Sequence, residues 1–127
     1  MQDRHLYEYA VIRVVPRVER EEFVNVGIIM FCKHAKLIKV QFAIDETKLK
    51  SLSADLDIDQ IRLNLDSFVK IGLGMAIGGP IAKLDVPERF RWLTAVRSSV
   101  IQTSRPHPGM CTDLDKTFKR LFAELVL

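Results

Sequence analysis

The sequence predicts an α+β fold, an antiparallel sheet of about four strands with helices packed mainly on one face. Three observations lead there. Apolar residues alternate with period two in the early part of the chain, the period changes to three and four after Asp45, and a short β-type run returns between two helical stretches. A length of 127 residues is one domain's worth, so residues 1–127 are expected to form a single domain.

The first strand is expected over residues 7–15, YEYAVIRVV, which is rich in β-branched and aromatic side chains. It places Ala10, Ile12 and Val14 on one face and Tyr7, Tyr9, Val11 and Arg13 on the other. Pro16 ends it, and RVEREE is a charged connector. Residues 24–32, VNVGIIMFC, are apolar on both faces, as a strand inside a covered sheet or at a dimer surface would be, with Gly27 in the middle. The KHAK link is short enough for a hairpin into residues 37–43, LIKVQFA, where Ile38, Val40 and Phe42 point inward and Lys39 and Gln41 outward.

Leu49 and Leu52, then Ile58, Ile61, Leu65 and Phe68, recur at helical spacings and predict a short helix followed by a longer one. Asp57 is the expected cap of the second, and Gly72 and Gly74 mark its end. Four of the six glycines fall in GLGMAIGGP, residues 72–80, which reads as a loop. It is no dinucleotide fingerprint, because Ile77 stands where the third glycine is needed, no Lys-Ser/Thr follows, and the run trails a helix. Asp85, Pro87 and Glu88 form a helix start leading into RFRWLTAV, predicted to run to Val96 or Arg97. Residues 99–104, SVIQTS, read as the fourth strand, ended by an RPHPG turn. Thr112 with Asp115 makes a capping box for a last helix with the stripe Leu114, Phe118, Leu121, Phe122 and Leu125.

Hydrophobic residues at 48% and charged residues at 28% exclude a disordered chain. The net charge of +3 is small. Residues 1–82 carry 11 basic and 11 acidic side chains and residues 83–127 carry 8 and 5, so the surplus lies in the final third. That argues against general phosphate-backbone binding and directs any charged partner to the last strand and helix. The polar start, MQDRHLYEYA, has no apolar signal run, and no stretch approaches the roughly 18 apolar residues of a membrane helix. Cys32 and Cys111, far apart, are expected to be reduced thiols, and the cytoplasm is the expected compartment.

The densest polar group runs from Arg97 to Asp113. Arg97, Gln102, Arg105 and His107, near the entry to the last helix, are the candidate anion-binding residues. His107 and Cys111, with Asp113, are candidate catalytic groups, because an imidazole beside a cysteine at a helix N-terminus activates the thiol. Cys32, His34, His107 and Cys111 supply the ligand types zinc accepts, but C-x-H is too tight for a zinc knuckle, so no metal is expected. The carboxylates Asp55, Asp57 and Asp59, and Glu19, Glu21 and Glu22, fall in connectors and helix starts where solvation explains them. Trp92, with Arg91 beside it, is a core residue or an interface anchor.

The segments YEYAVIRVVPRVEREEFVNVGIIMFC, ERFRWLTAVRSSVIQTS and HPGMCTDLDKTFKRLF together resemble the bacterial domain-of-unknown-function family 3037 over nearly the whole chain. The matching positions are Asn25 and Gly27; Phe90, Arg91 and Trp92; Arg97 and Ser98; Gln102; and His107, Gly109, Cys111 and Asp113. Departures occur at AVRSS, where relatives have a proline before the arginine, and at SRPHPG, where they have Pro-Val before the histidine. The resemblance implies a small bacterial cytosolic protein and a partner role beside kinase-like proteins of the HipA type.

The expected function is a non-enzymatic protein-binding or accessory domain, acting through a protein partner or a homodimer, with an anion-tolerant patch near the last strand and helix. It needs no cofactor and no membrane. The alternative is a small enzyme acting on a phosphorylated or nucleotide-like substrate through His107, Cys111 and nearby arginines. Nucleic-acid binding is the weakest reading.

Overall fold

The computed structural model describes residues 4–75, 78–95 and 99–127. Its axis is strand β1, His5–Val14. β2, Val24–Cys32, pairs antiparallel with β1 on one side, and β3, Leu37–Phe42, pairs antiparallel with β2. On the other side of β1 lie two short strands in one lane: β4, Ile101–Thr103, runs along Ile12–Val14, and β5, His107–Cys111, along His5–Tyr9.

Among the described residues the sheet therefore has five strands, and the predicted RPHPG turn is corrected. His107, Pro108 and Gly109 belong to β5. Two prolines suggested a turn, but an edge strand has one side without ladder bonds and tolerates a missing N–H. The break in the lane is short. Ser104 holds it to β1, accepting from the Val11 N–H at 2.9 Å through its hydroxyl and donating its own N–H to the Val11 carbonyl at 2.8 Å.

β2 is apolar on both faces because each is covered by helix, and its parity switches in mid-strand. Ile12 pairs with Gly27 and Arg13 with Asn25, so Val26 is a bulged residue that switches the parity of the strand. Val24, Val26, Ile29 and Phe31 consequently share one face, and Ile28, Met30 and Cys32 the other. Gly27 is required there, since a Cβ would lie 2.5 Å from the Gln41 carbonyl oxygen.

Helices α1, Glu46–Leu52, α2, Ile58–Gly72, and α3, Val86–Leu93, cover the first face. Leu49, Ile61, Leu65, Phe68, Phe90 and Leu93 pack there on Ala10, Ile12, Val14, Ile29 and Phe31. The Phe31 and Phe90 rings stack at 4.9 Å. Helix α4, Leu114–Leu125, is the one helix among the described residues that covers the second face, seating Leu114, Phe118, Leu121 and Phe122 on Tyr7, Val11, Ile28, Met30 and Cys32.

Each helix begins at an aspartate. Asp45, Asp57, Asp85 and Asp113 accept from the N–H three residues on, at 3.1 to 3.2 Å, an interaction that contributes about 1 kcal/mol at a typical cap. The predicted Thr112–Asp115 box is thus replaced by Asp113, and Asp115 turns to an ion pair with Lys39. Helix α3 ends at Leu93, earlier than predicted, with Thr94 as its C-cap, whose hydroxyl donates to the Phe90 carbonyl at 2.8 Å. Ile77, Val96, Arg97 and Ser98 lie outside the described residues.

Candidate functional site

The lane of β4 and β5 positions three of the four anion candidates. Antiparallel register sets Gln102 opposite Arg13 and His107 opposite Tyr9. Directly paired residues share a face, here the face on which Tyr7 and Val11 pack beneath α4. Tyr9, Arg13, Gln102 and His107 are all half-buried, and Arg105 is exposed in the break between the two strands. The His107 ring lies 5.4 Å from that of Tyr9 at 39°. The Gln102 amide donates to the Ser99 carbonyl at 2.8 Å. Arg97, the fourth candidate, lies outside the described residues.

The catalytic candidates are distributed differently. His107 and Cys111 occupy the two ends of β5, paired with Tyr9 and His5. Four steps at about 3.3 Å each separate them by roughly 13 Å, well beyond a hydrogen bond. The imidazole opposite Cys111 is that of His5, a neighbour that spacing along the chain does not reveal. The Asp113 carboxylate accepts the Lys116 N–H at 3.1 Å as the cap of α4. Cys111 is half-buried and opens on a 340 Å³ cavity that Arg4, Thr112, Asp113 and Lys116 also line.

Arg91 and Trp92 sit on α3. The Arg91 guanidinium forms two bonds to the Glu8 carboxylate of β1, at 3.0 and 2.6 Å. Trp92, 39% exposed, borders a 320 Å³ groove between α2, α3 and β4, lined by Phe68, Ile71, Leu93, Val100 and Ile101. Trp92 is thus an exposed residue at the border of the groove and not part of the buried core.

One further polar residue of this face, Arg13, was not among the candidates. Arg13, placed by strand parity on the face of Tyr7, Tyr9 and Val11, lies with its guanidinium carbon 4.0 Å over the Phe23 ring. Its Nε is buried without a hydrogen-bond partner, and so is Oδ1 of Asn25, its register neighbour on β2. Burial lowers the pKa of this guanidinium from its ordinary value. The signal was present in the sequence: a basic side chain at a position whose parity points it toward a covered face.

Cys32 is fully buried under α4 and His34 is exposed in the β2–β3 turn. Among the described residues no group of three or more His, Cys, Asp or Glu side chains could hold a metal ion, and no helix is long and apolar enough to cross a membrane. A family model described as a protein of unknown function (DUF3037) matches residues 9–126. No curated protein and no solved structure matches the chain.

Proposed function

This chain belongs to the DUF3037 family of proteins of unknown function, and we propose that it works as a non-enzymatic protein-binding or accessory domain of the bacterial cytosol, engaging its partner through the groove that Trp92 borders. One observation supports the reading most. The only tryptophan is half-exposed at the lip of an apolar groove, on a helix whose adjacent arginine is clamped to the sheet. A rigid aromatic beside an apolar cleft is the kind of anchor that dominates protein interfaces. The family resemblance supplies a kinase-like protein of the HipA type as the partner to try first, and a second copy of this chain as the other. Two of the anion candidates, Gln102 and His107, lie on the opposite face of the sheet.

The small-enzyme reading has less support, since His107 and Cys111 stand about 13 Å apart along β5. A photoreactive amino acid placed at position 92 in cells, with the same probe at the exposed position 124 as control, tests the interface. A discrete adduct from position 92 alone is expected, and its mass distinguishes a second copy from another protein. No adduct, or the same adduct from both positions, would overturn the proposal.

A further inference from the structure

We infer that the free edge of β3 is a docking site for an extended, acidic segment of another protein, which adds to the sheet as a further strand beside Ile38, Val40 and Phe42. This surface is separate from the Trp92 groove, so either can fail without the other.

Among the described residues β3 is the last strand on its side of the sheet. Just past its end the Ala43 N–H donates to the Val26 carbonyl at 2.7 Å, which fixes the residues that face β2. Hydrogen-bonded positions alternate in an antiparallel pair, so Leu37, Lys39 and Gln41 turn their backbone groups to β2, and Ile38, Val40 and Phe42 turn theirs to the edge. Among the described residues no hydrogen bond reaches the edge groups of these three. The opposite edge is blunted: its lane breaks between β4 and β5, β4 has three residues, and β5 carries Pro108. By contrast β3 has no proline and runs unbroken for six residues, and Asp115 draws its one charged side chain, Lys39, toward α4.

The edge opens on a groove of 430 Å³ whose two walls differ. On one side Ile38 and Val40 share the first face with Leu73, which follows α2 and is 53% exposed. On the other, strand parity sets Lys39 and Gln41 on the α4 face, beside Phe118 and Lys119. Alternate side chains of an added strand therefore meet an apolar wall and a basic one. Lys33 and Lys36, exposed in the turn before β3, extend the positive charge. Asp115 is already paired with Lys39, and Asp45 and Glu46 lie beyond the far end of the strand. The occupant these walls fit carries apolar residues on one face and carboxylates on the other, held by backbone bonds and selected by its side chains. The β3 strand of a second copy fits less well, since antiparallel pairing sets Lys39 and Lys119 of both copies on one side of the joint sheet, like charge near like.

A short blocked peptide alternating glutamate and valine, added to the isotope-labelled protein and followed by NMR, tests this directly. Saturable shifts and slowed hydrogen exchange are expected at the amides of Ile38, Val40 and Phe42, with no change along Ile101–Thr103 on the opposite edge. The same peptide with lysine for glutamate should bind roughly tenfold more weakly. A glutamate peptide methylated on its backbone nitrogens, with no N–H to give, should not bind. Val40→Pro removes an outward N–H while sparing the bonds to β2, and should abolish the response. Lys119→Glu, at an exposed position, should weaken the glutamate peptide and strengthen the lysine one, and it decides the matter if Val40→Pro does not fold. Unmoved β3 amides, equal affinity for the two peptides, or binding of the methylated one would each overturn the inference. Shifts of the same amides that grow with protein concentration alone would assign the edge to a second copy and overturn it too.

Discussion

The ring of Tyr7 fills the space above Gly109. The two residues are register partners on β1 and β5, and a Cβ at position 109 would run into Cζ and Oη of the tyrosine. Tyr7 is thereby part of the α4-side core, and the glycine is what lets its ring lie flat along the edge strand.

Gly109→Ala is therefore expected to destabilise the protein by about 1–3 kcal/mol, the range for forcing an extra methyl into a filled site. Chemical denaturation measures it. The double variant Tyr7→Leu with Gly109→Ala should recover part of the loss, because the atoms that clash are gone.

Burial raises the Tyr7 pKa above the ordinary phenol value of 10.0, and the Cys111 thiolate raises it further. The folded state thus holds the proton more tightly than the unfolded chain. Stability from this group is fully present below the ordinary value and is lost as pH rises through the folded one. Thermal melts across that alkaline window should show a decline that Tyr7→Phe reduces. An identical decline in the variant would assign the effect to other groups.

Asp113 tests a cap against a catalytic role. Asp113→Ala should cost about 1 kcal/mol, and Asp113→Asn or Asp113→Ser, which also cap, only a small part of that. A large loss in the asparagine variant, measured by denaturation, would show that the carboxylate does more than accept the Lys116 N–H.

The two thiols should separate in a labelling experiment. Cys32 is fully buried and Cys111 half-buried beside a cavity. A chromogenic disulfide reagent is expected to modify one thiol per native chain, and the second only with denaturant. Prompt reaction of both would contradict the packing of α4 over Cys32.

Much of the fold was legible because burial imposes a period. The parity of β1 sorted Ala10, Ile12 and Val14 from Tyr7 and Val11, and the same parity carried Ile38 to the core. Caps at Asp57 and Asp85 were legible because their reach, three residues, is local. The edge strand β5 was not. Its prolines are turn residues by composition, and only the neighbouring β1 supplies the partner that makes His107–Cys111 a strand. The bulge at Val26 was hidden for the same reason, since a bulge is a count of residues on two strands at once.

The candidate site divides along that line. Sequence by itself determined an α+β chain with its positive surplus in the last third, the identity of the polar residues there, and a tryptophan on an amphipathic helix. Tertiary structure alone decided their company: Cys111 with His5 instead of His107, Gln102 with Arg13, Arg91 with Glu8. Spacing along a strand keeps His107 and Cys111 on one face but about 13 Å apart, whereas pairing across strands brings side chains of remote residues to roughly 5 Å. Chemistry needs the second distance, and no single stretch of sequence contains it.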